Sequence, residues 1–518
     1  MNTTRLALPV LAAMAALAIA GCGGGGSSSD LAGFAAPGSL VFVEGTVQPE
    51  GELKSDVDAL AEKVAGVDSL GGLIVSKLEE EARDKGEPLD FAKEVEPWLG
   101  ERGAISFSKL NGDGDLSGYG ILLETTDPEA TQATIDHQAK VNPDPVKEGS
   151  YQGVAYWTDT GDETVVGLIG DTFVGAEDAK SFQAAVDASQ GESLGDESQF
   201  QDAISAASDG SLADAYVDIG GIIDASGDSV DPTAREILKN AGVDPSEATA
   251  VASVLPGSDQ IEIDVSADAG GETPPSGDAS KMLGSLPGDA FAAFASAEFG
   301  ERLDKALDEL DASGVPGRTE PHQLKQIAGQ LGFDLDKVAA SFEEAGVFAV
   351  GTGKKDLGGA AVFSTTDPSE VSTAVKSIGL LMRQLGTPGV TALSGKASGF
   401  SVRSAELGSK PLVIATKGDR LAIGYGLPQT LRALAEESAS TLAESPEYQA
   451  AVSALGDTPI SGFVDGPGAL RLARALVPSS ETGFQEAVPY LKAIRYVAIG
   501  SGSDGDLATA KLIVGISE

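Results

Sequence analysis

The sequence is poor in the residues from which disulfides and transition-metal sites are built. Its 518 residues include one cysteine and two histidines, and aromatic residues make up 5%. A single cysteine excludes an internal disulfide, so stability must come from packing. With only Cys22, His137 and His322 available, no Cys/His zinc cluster can form. We therefore expect no metal site and no cofactor.

Positive charge is also scarce. There are 35 lysines and arginines against 79 aspartates and glutamates, which gives a net charge of −44. A surface this acidic repels nucleic-acid phosphates and anionic lipid headgroups. We therefore expect no nucleic-acid partner and no electrostatic docking on a membrane. Hydrophobic residues at 42%, with 66 glycines, indicate a turn-rich globular protein of about two or three domains.

The apolar run at the N-terminus, Leu6 to Ile19, is too short to cross a bilayer, because a crossing takes about 20 apolar residues. With Arg5 before it, the run is typical of an export signal over residues 1–21. The signal ends in Ile19-Ala20-Gly21-Cys22, which resembles the lipobox of bacterial lipoproteins. That resemblance implies that Cys22 is acylated and becomes the first residue of the mature protein. An ordinary cleaved signal with a chance cysteine is the alternative.

Residues 22–33 are predicted to be a Gly/Ser tether, because Gly-Gly-Gly-Gly-Ser-Ser-Ser follows Cys22. Two acyl chains anchor a protein stably without a basic patch, which suits an acidic body. The expected partner is thus the membrane, through the lipid on Cys22, and the expected location is the extracytoplasmic face of the cell membrane.

Beyond the tether, one pattern occurs twice. Gly120 to Glu129 and Ala360 to Ser369 each run from an apolar, strand-like stretch into Thr-Thr-Asp-Pro. Aspartate is a favoured N-cap and proline a favoured first helical residue, so each copy predicts a strand-to-helix corner. Glu370 stands three residues after Asp367, which is the spacing of a capping box.

Further landmarks recur in the same order, which predicts a duplicated domain. The pairs are Pro37-Gly38 with Pro287-Gly288, Leu89-Asp90 with Leu335-Asp336, Gly170-Asp171 with Gly418-Asp419, Phe200-Gln201 with Tyr448-Gln449, and Tyr216-Val217-Asp218 with Phe463-Val464-Asp465. A period this long exceeds that of solenoid repeats. We predict a first repeat over 34–267, a linker over 268–280 and a second repeat over 281–518.

Each repeat is predicted to be an α+β domain. Strand-like runs joined by short turns indicate a twisted, mainly antiparallel sheet, and the intervening amphipathic helices are expected to cover one face of it. After the second Thr-Thr-Asp-Pro corner, the helix is expected to bury Val371, Ala374, Val375 and Ile378.

These landmarks together resemble the bacterial family known as Domain of Unknown Function 3352. The residues that carry the resemblance are Thr-Thr-Asp-Pro, Tyr151-Gln152-Gly153-Val154, Gly170-Asp171, Ser193-Leu194 with Phe200, Tyr216-Val217-Asp218 and, in the second repeat, Thr441-Leu442-Ala443-Glu444-Ser445-Pro446. The resemblance implies the architecture and a cell-envelope setting. It implies no activity and no catalytic residues.

Three short patterns could carry chemistry. Gly191 to Gly195 has the spelling of a hydrolase nucleophile elbow around Ser193, but it follows a helical segment rather than a strand. Asn111 to Asp115 resembles the start of a calcium loop, although Leu116 and Leu122 stand where an EF-hand needs Gly and Glu. We interpret both as structural. Asp218 and Asp465, each at the end of a strand, are expected to be caps rather than catalysts.

The leading hypothesis is therefore a non-enzymatic, membrane-anchored lipoprotein that binds or scaffolds a ligand or partner the sequence does not identify. A carrier that holds a small apolar or lipid ligand between the two repeats is the first alternative. A hydrolase that uses Ser193 or carboxylates is the second.

Overall fold

The computed structural model divides the chain into two compact units. Of the residues that the structure describes, 30–227 and 247–271 belong to unit 1, and those from 277 to 517 belong to unit 2. The described residues are 30–85, 89–141, 145–227, 247–271, 277–304, 321–395, 397–434, 440–478 and 480–517. Cys22, and with it the predicted acylation site, lies outside them.

Unit 1 contains a sheet of ten strands in the order β10-β9-β8-β1-β2-β3-β7-β6-β5-β4, and every neighbouring pair is antiparallel. Its strands are β1 Val41–Thr46, β2 Leu99–Leu110, β3 Leu116–Thr125, β4 Val146–Tyr151, β5 Val154–Asp159, β6 Val165–Ile169, β7 Thr172–Ala176, β8 Ala213–Asp218, β9 Thr249–Gly257 and β10 Gln260–Asp268.

Unit 2 also contains ten antiparallel strands, in the order β20-β19-β18-β11-β12-β13-β17-β16-β15-β14. Its strands are β11 Ala292–Ser296, β12 Phe342–Val350, β13 Gly358–Thr365, β14 Val390–Ala392, β15 Ser398–Val402, β16 Leu412–Lys417, β17 Arg420–Tyr425, β18 Ile460–Asp465, β19 Ile494–Asp504 and β20 Leu507–Ile516. Strand for strand, this is the order found in unit 1.

Helices connect the strands in both units. Those of unit 1 are α1 Gly51–Ala65, α2 Leu70–Lys85, α3 Phe91–Glu94, α4 Pro128–Val141, α5 Ala179–Gln190, α6 Ser198–Ile204 and α7 Ile219–Ala225. Those of unit 2 are α8 Ser280–Gly284, α9 Pro321–Gln330, α10 Leu335–Ala340, α11 Pro368–Gln384, α12 Leu427–Ala433, α13 Pro446–Leu455, α14 Gly466–Leu476 and α15 Thr482–Leu491. The predicted α+β class is confirmed, and the antiparallel pairing follows from the short connections between consecutive strands.

The expectation that helices cover one face of the sheet is wrong. Along β3, Ile121 and Leu123 pack in a cluster with Ile135 of α4, whereas Leu122 packs in a second cluster with Phe182 of α5. Alternate side chains of a strand point to opposite faces, so helices cover both faces of this sheet. The continuous apolar run of β3 follows from burial on two sides.

Unit 2 has the same layered arrangement. Val362 of β13 belongs to a cluster with Leu283 of α8, and its neighbour Phe363 packs against the cluster that contains Val371 of α11. Each described sheet is therefore the middle layer between two layers of helices.

Two strands, β4 and β14, were not predicted from the sequence, and one helical residue predicted to be buried faces solvent. Among the described strands, β4 pairs only with β5 and β14 only with β15, and neither β4 nor β14 has an alternating apolar pattern. Ile378 was expected in the core but is exposed. The buried position is instead Gly379, where a Cβ would lie 2.6 Å from a ring carbon of Phe400.

The described part of unit 1 begins within the segment predicted as tether. Asp30–Phe34 forms a 3-10 helix, and its Leu31 and Ala32 are fully buried in the same cluster as Phe182. The backbone N–H of Leu194 donates to the carbonyl of Ala35, which ties this segment to the body.

Candidate functional site

The two Thr-Thr-Asp-Pro corners are helix starts with nearly the same hydrogen bonds. The Asp127 carboxylate accepts from the N–H of Ala130 at 3.0 Å, and the Asp367 carboxylate accepts from the N–H of Glu370 at 3.0 Å. Because these carboxylates are used to cap α4 and α11, the corners build the fold and do not form a binding motif.

The capping box predicted at the second corner does not form. The Glu370 carboxylate accepts from the backbone N–H of Asp334 at 2.8 Å, and Asp334 itself caps α10. Glu370 therefore joins two helices instead of closing its own helix end.

Ser193 is a buried cap and not an exposed nucleophile. Its hydroxyl donates to the Asp196 carboxylate at 2.8 Å, and its backbone N–H donates to the same carboxylate at 3.0 Å. This is a capping box at the start of a one-turn 3-10 helix, and Thr441 forms the same box with Glu444 in unit 2. The hydrogen bonds from Ser193 hold the pKa of the Asp196 carboxyl below its usual value. The arrangement stabilises a turn and does not activate a hydroxyl for attack.

The stretch Asn111 to Asp115 is a polar turn between β2 and β3. The amide oxygen of Asn111 accepts from the backbone N–H groups of Asp113 and Asp115, both at 2.9 Å, so the turn uses the oxygen that a cation would need. Within the described residues, no group of three or more His, Cys, Asp or Glu side chains is arranged to hold a metal ion.

Asp218 and Asp465 both cap helices, as their positions at strand ends suggested. Asp218 accepts from the N–H of Gly221 at 2.7 Å, and Asp465 accepts from the N–H of Gly468 at 2.8 Å. Partial burial raises the pKa of the Asp465 carboxyl, although its hydrogen bond and nearby Arg471 favour the charged form. His137 is exposed on α4.

The described part of unit 2 contains a cleft between the β14–β15 hairpin and α12. Gly426 has a φ of 101°, which lets the chain turn sharply out of β17, and Pro428 stands in the first turn of α12. Thr430 is fully buried and donates its hydroxyl to the carbonyl of Gly426 at 3.0 Å. That contact fixes α12 so that Leu427 and Leu431 face outward, with exposures of 38% and 42%.

The cleft has a volume of about 500 Å³. Leu393, Leu427, Leu431 and Leu434 form its apolar lining, and Lys417 supplies a positive charge. Hydroxyl groups of Thr391, Ser394 and Ser401 also line it. Such a cleft can bind an apolar chain and orient a polar or anionic end.

Sequence reasoning missed the cleft because its signal is ambiguous. Leucines four residues apart on a short helix are normally core residues. A comparison of the two repeats carries more information. The positions of α5 that correspond to Leu427 and Leu431 hold Ala179 and Gln183, whereas the buried positions Phe182 and Thr430 correspond to each other. The outward leucines are thus particular to unit 2.

Comparison with known proteins places the chain in a family. The profile of the family described as "Protein of unknown function (DUF3352)" matches residues 75–513, so the chain belongs to that family. The match confirms the resemblance carried by the sequence landmarks. It supplies no activity.

Two crystal forms of TP0453 are distantly similar to part of the chain. Form I has a TM-score of 0.26 and 12% identity, and form III has 0.25 and 10%; each covers 48% of this chain and 82% of that chain. Scores this low support no structural argument. No curated protein matches the sequence. Among the described residues, no helix combines the length and the hydrophobicity that a bilayer crossing requires.

Proposed function

We propose that the protein is an extracytoplasmic lipoprotein, anchored through Cys22, whose two α+β units bind or scaffold a partner without catalysing a reaction. The observation that carries the proposal is the closeness of Cys22 to the folded body. Asp30, where the first 3-10 helix begins, is eight residues after Cys22. A fully extended chain of that length spans at most about 28 Å. An acyl group on Cys22 would therefore hold unit 1 close to the bilayer.

The roles of the candidate catalytic residues support the non-enzymatic part of the proposal. Ser193 and the strand-end aspartates are used as caps, and the geometry of their hydrogen bonds is repeated at the equivalent positions of the other unit. Residues that do the same structural work in both units are poor candidates for a catalytic centre in one of them.

The experiment that tests the anchor replaces Cys22 with serine. We expect Cys22→Ser to abolish metabolic labelling with palmitate and to release the protein from the membrane fraction. Gly26→Ser, a change inside the predicted tether that keeps the cysteine, is the matched control and should leave both unchanged. Membrane retention of the Cys22→Ser protein would contradict the proposal.

A second candidate function, a carrier of an apolar or lipid ligand, is favoured by the cleft beside α12. In contrast to the sequence hypothesis of a ligand between the repeats, this cleft lies within unit 2. Its outward leucines and Lys417 suit a single acyl chain with an anionic end.

The carrier is tested with cis-parinaric acid, a fluorescent fatty acid. Leu431→Gln, which copies the unit 1 residue, should weaken binding of the probe, and Lys417→Glu should weaken it further. Leu385→Gln is the control, because Leu385 is 74% exposed and lies outside the cleft lining. Equal binding by all variants would exclude this cleft as the ligand site.

A further inference from the structure

The connection between β18 and β19 contains two helices of unusual character. In α14, Gly468 and Leu472 are buried against the body, while Arg471, Arg474 and Leu476 face solvent. The helix is therefore amphipathic, with a basic outer side. Leu476, at its end, is 45% exposed.

The second helix, α15, is apolar but has no buried residue. Phe484, Val488 and Leu491 fall on one side at helical spacing and are only half-buried, and Tyr490 is 52% exposed. The backbone of α15 makes no extensive contact with any other described helix or strand. A helix of this composition normally buries its apolar side, so α15 presents a surface suited to a partner.

The charge of this region is opposite to that of the protein. Arg471, Arg474, Lys492 and Arg495 are exposed, against two acidic residues, Glu481 and Glu486, in the same stretch. The positive charge of Arg471 is near enough to favour the charged form of the Asp465 carboxyl, which offsets part of that positive charge. In a chain with a net charge of −44, a locally basic and apolar surface is complementary to an anionic one.

We propose that α14 and α15 form a membrane-contacting surface that lies on an anionic phospholipid bilayer. The apolar side of α15 enters the boundary between headgroups and acyl chains, Tyr490 sits at headgroup depth, and the arginines of α14 face lipid phosphates. The acidity of the chain as a whole opposes electrostatic docking elsewhere, and this surface is a local exception. The proposal builds on the proposed membrane anchor and adds a second point of contact.

The test separates this surface from the anchor. Cys22 is the only cysteine, so protein produced without acylation keeps one free thiol, through which the full chain can be coupled to maleimide lipids. Tyr490→Trp then reports on α15 in vesicles that contain phosphatidylglycerol and brominated acyl chains. Relative to the unaltered protein, whose own tryptophans are Trp98 and Trp157, we expect the added emission to shift to the blue and to be quenched. Leu385→Trp, at an exposed position on the end of α11, should keep its added emission.

A charge-reversal pair tests the basic side. Arg471→Glu with Arg474→Glu should restore the emission added by Tyr490→Trp, whereas Lys354→Glu with Lys355→Glu, an equal change of charge in the β12–β13 connection, should leave it quenched. If the emission added by Tyr490→Trp is unquenched on every vesicle, the proposal is overturned and this surface is assigned to a protein partner. Failure of the proposed anchor would be seen separately, as an absence of palmitate labelling in the unaltered protein, which keeps Cys22.

Discussion

Units 1 and 2 share a strand order but differ in how much apolar surface they leave open. In unit 1, Val43 pairs with Ile105, and Ile105 is buried in the cluster that also contains Leu78 of α2. In unit 2, the corresponding pair, Phe294 and Val347, is exposed. Among the described residues, thirteen large hydrophobic side chains are exposed, and eleven of them belong to unit 2.

The connections between corresponding strands differ in the same direction. Residues 219–248, between β8 and β9, carry six acidic and two basic residues, whereas residues 466–493, between β18 and β19, carry two acidic and three basic residues. What the units share is the set of hydrogen-bonded corners and caps. What differs is the outer surface, so we expect binding to be concentrated in unit 2 and the stronger core in unit 1.

The largest expected effect is a loss of stability caused by a substitution in the core of unit 1. Trp98 is 1% exposed, stacks on Phe173 and donates its indole N–H to the hydroxyl of Thr134 at 3.2 Å. Trp98→Ala should cost unit 1 about 3–5 kcal/mol. The counterpart of Trp98 in unit 2 is Ser341. The backbone N–H of Thr366 donates to the carbonyl of Ser341, as the N–H of Thr126 donates to that of Trp98. Ser341→Ala should cost unit 2 only about 1 kcal/mol.

Hydrogen exchange measures this difference, because the amides of β2–β3 and β12–β13 report on each unit separately. Losses of similar size in the two variants would show that the cores contribute equally.

A smaller effect is expected at the two capping boxes, where the units should respond alike. Ser193→Ala and Thr441→Ala each remove one cap, and each should destabilise its own unit by about 1 kcal/mol. Urea unfolding followed by hydrogen exchange checks both. A much larger cost at Ser193 alone would indicate that its role goes beyond capping.

The pH response should distinguish the units, with an effect smaller than the loss of a cap. Asp178 caps α5, and although burial raises the pKa of its carboxyl, hydrogen bonds from Ser181 outweigh burial and leave the pKa below the ordinary value. Its stabilisation is therefore present above the unfolded pKa and is lost as pH falls through the folded pKa. The corresponding residue of unit 2 is Gly426, which has no side-chain cap to lose.

The pKa of Asp465 is shifted in the opposite direction from that of Asp178. Because burial raises the pKa of its carboxyl, ionisation costs unit 2 stability at neutral pH, and acidification removes that cost. Between about pH 5 and 3, unit 1 should lose stability through Asp178 while unit 2 gains it through Asp465. Exchange rates of α5 in Asp178→Asn should depend less on pH than in the unaltered protein. An unchanged slope would contradict this assignment.

The smallest effect is expected at the cleft. Leu431→Gln replaces an outward leucine with the residue of unit 1, and the free energy of unfolding should change by less than about 0.5 kcal/mol. Probe binding should nevertheless fall, as proposed above. A large loss of stability would show that Leu431 is part of the core.

Much of the fold could be predicted because its signals are local. The Thr-Thr-Asp-Pro corners specify strand ends and helix starts within four residues, and both capping aspartates act as their spacing indicated. Features set by tertiary contacts could not be predicted in the same way. Gly379 is buried because Phe400 needs its space, and no helical pattern of apolar residues reveals this. The apolar run of β3 did contain the signal for two covered faces.

The candidate sites depended even more on tertiary contacts. The spelling around Ser193 suggested an elbow, but only the neighbouring Asp196 shows that the hydroxyl is used in a cap. The cleft at Leu431 and the open side of α15 arise because outward apolar residues are left uncovered by the described part of the chain. A sequence pattern cannot distinguish such residues from a core.

The burial of Leu31 and Ala32 has a practical consequence for recombinant work. A fragment of unit 1 begun at Phe34, the predicted start of the repeat, would delete two fully buried side chains and open a hole beside Phe182. Fragments that start at or before Asp30 should keep this part of the core intact, and an affinity tag placed upstream of that residue would leave it undisturbed.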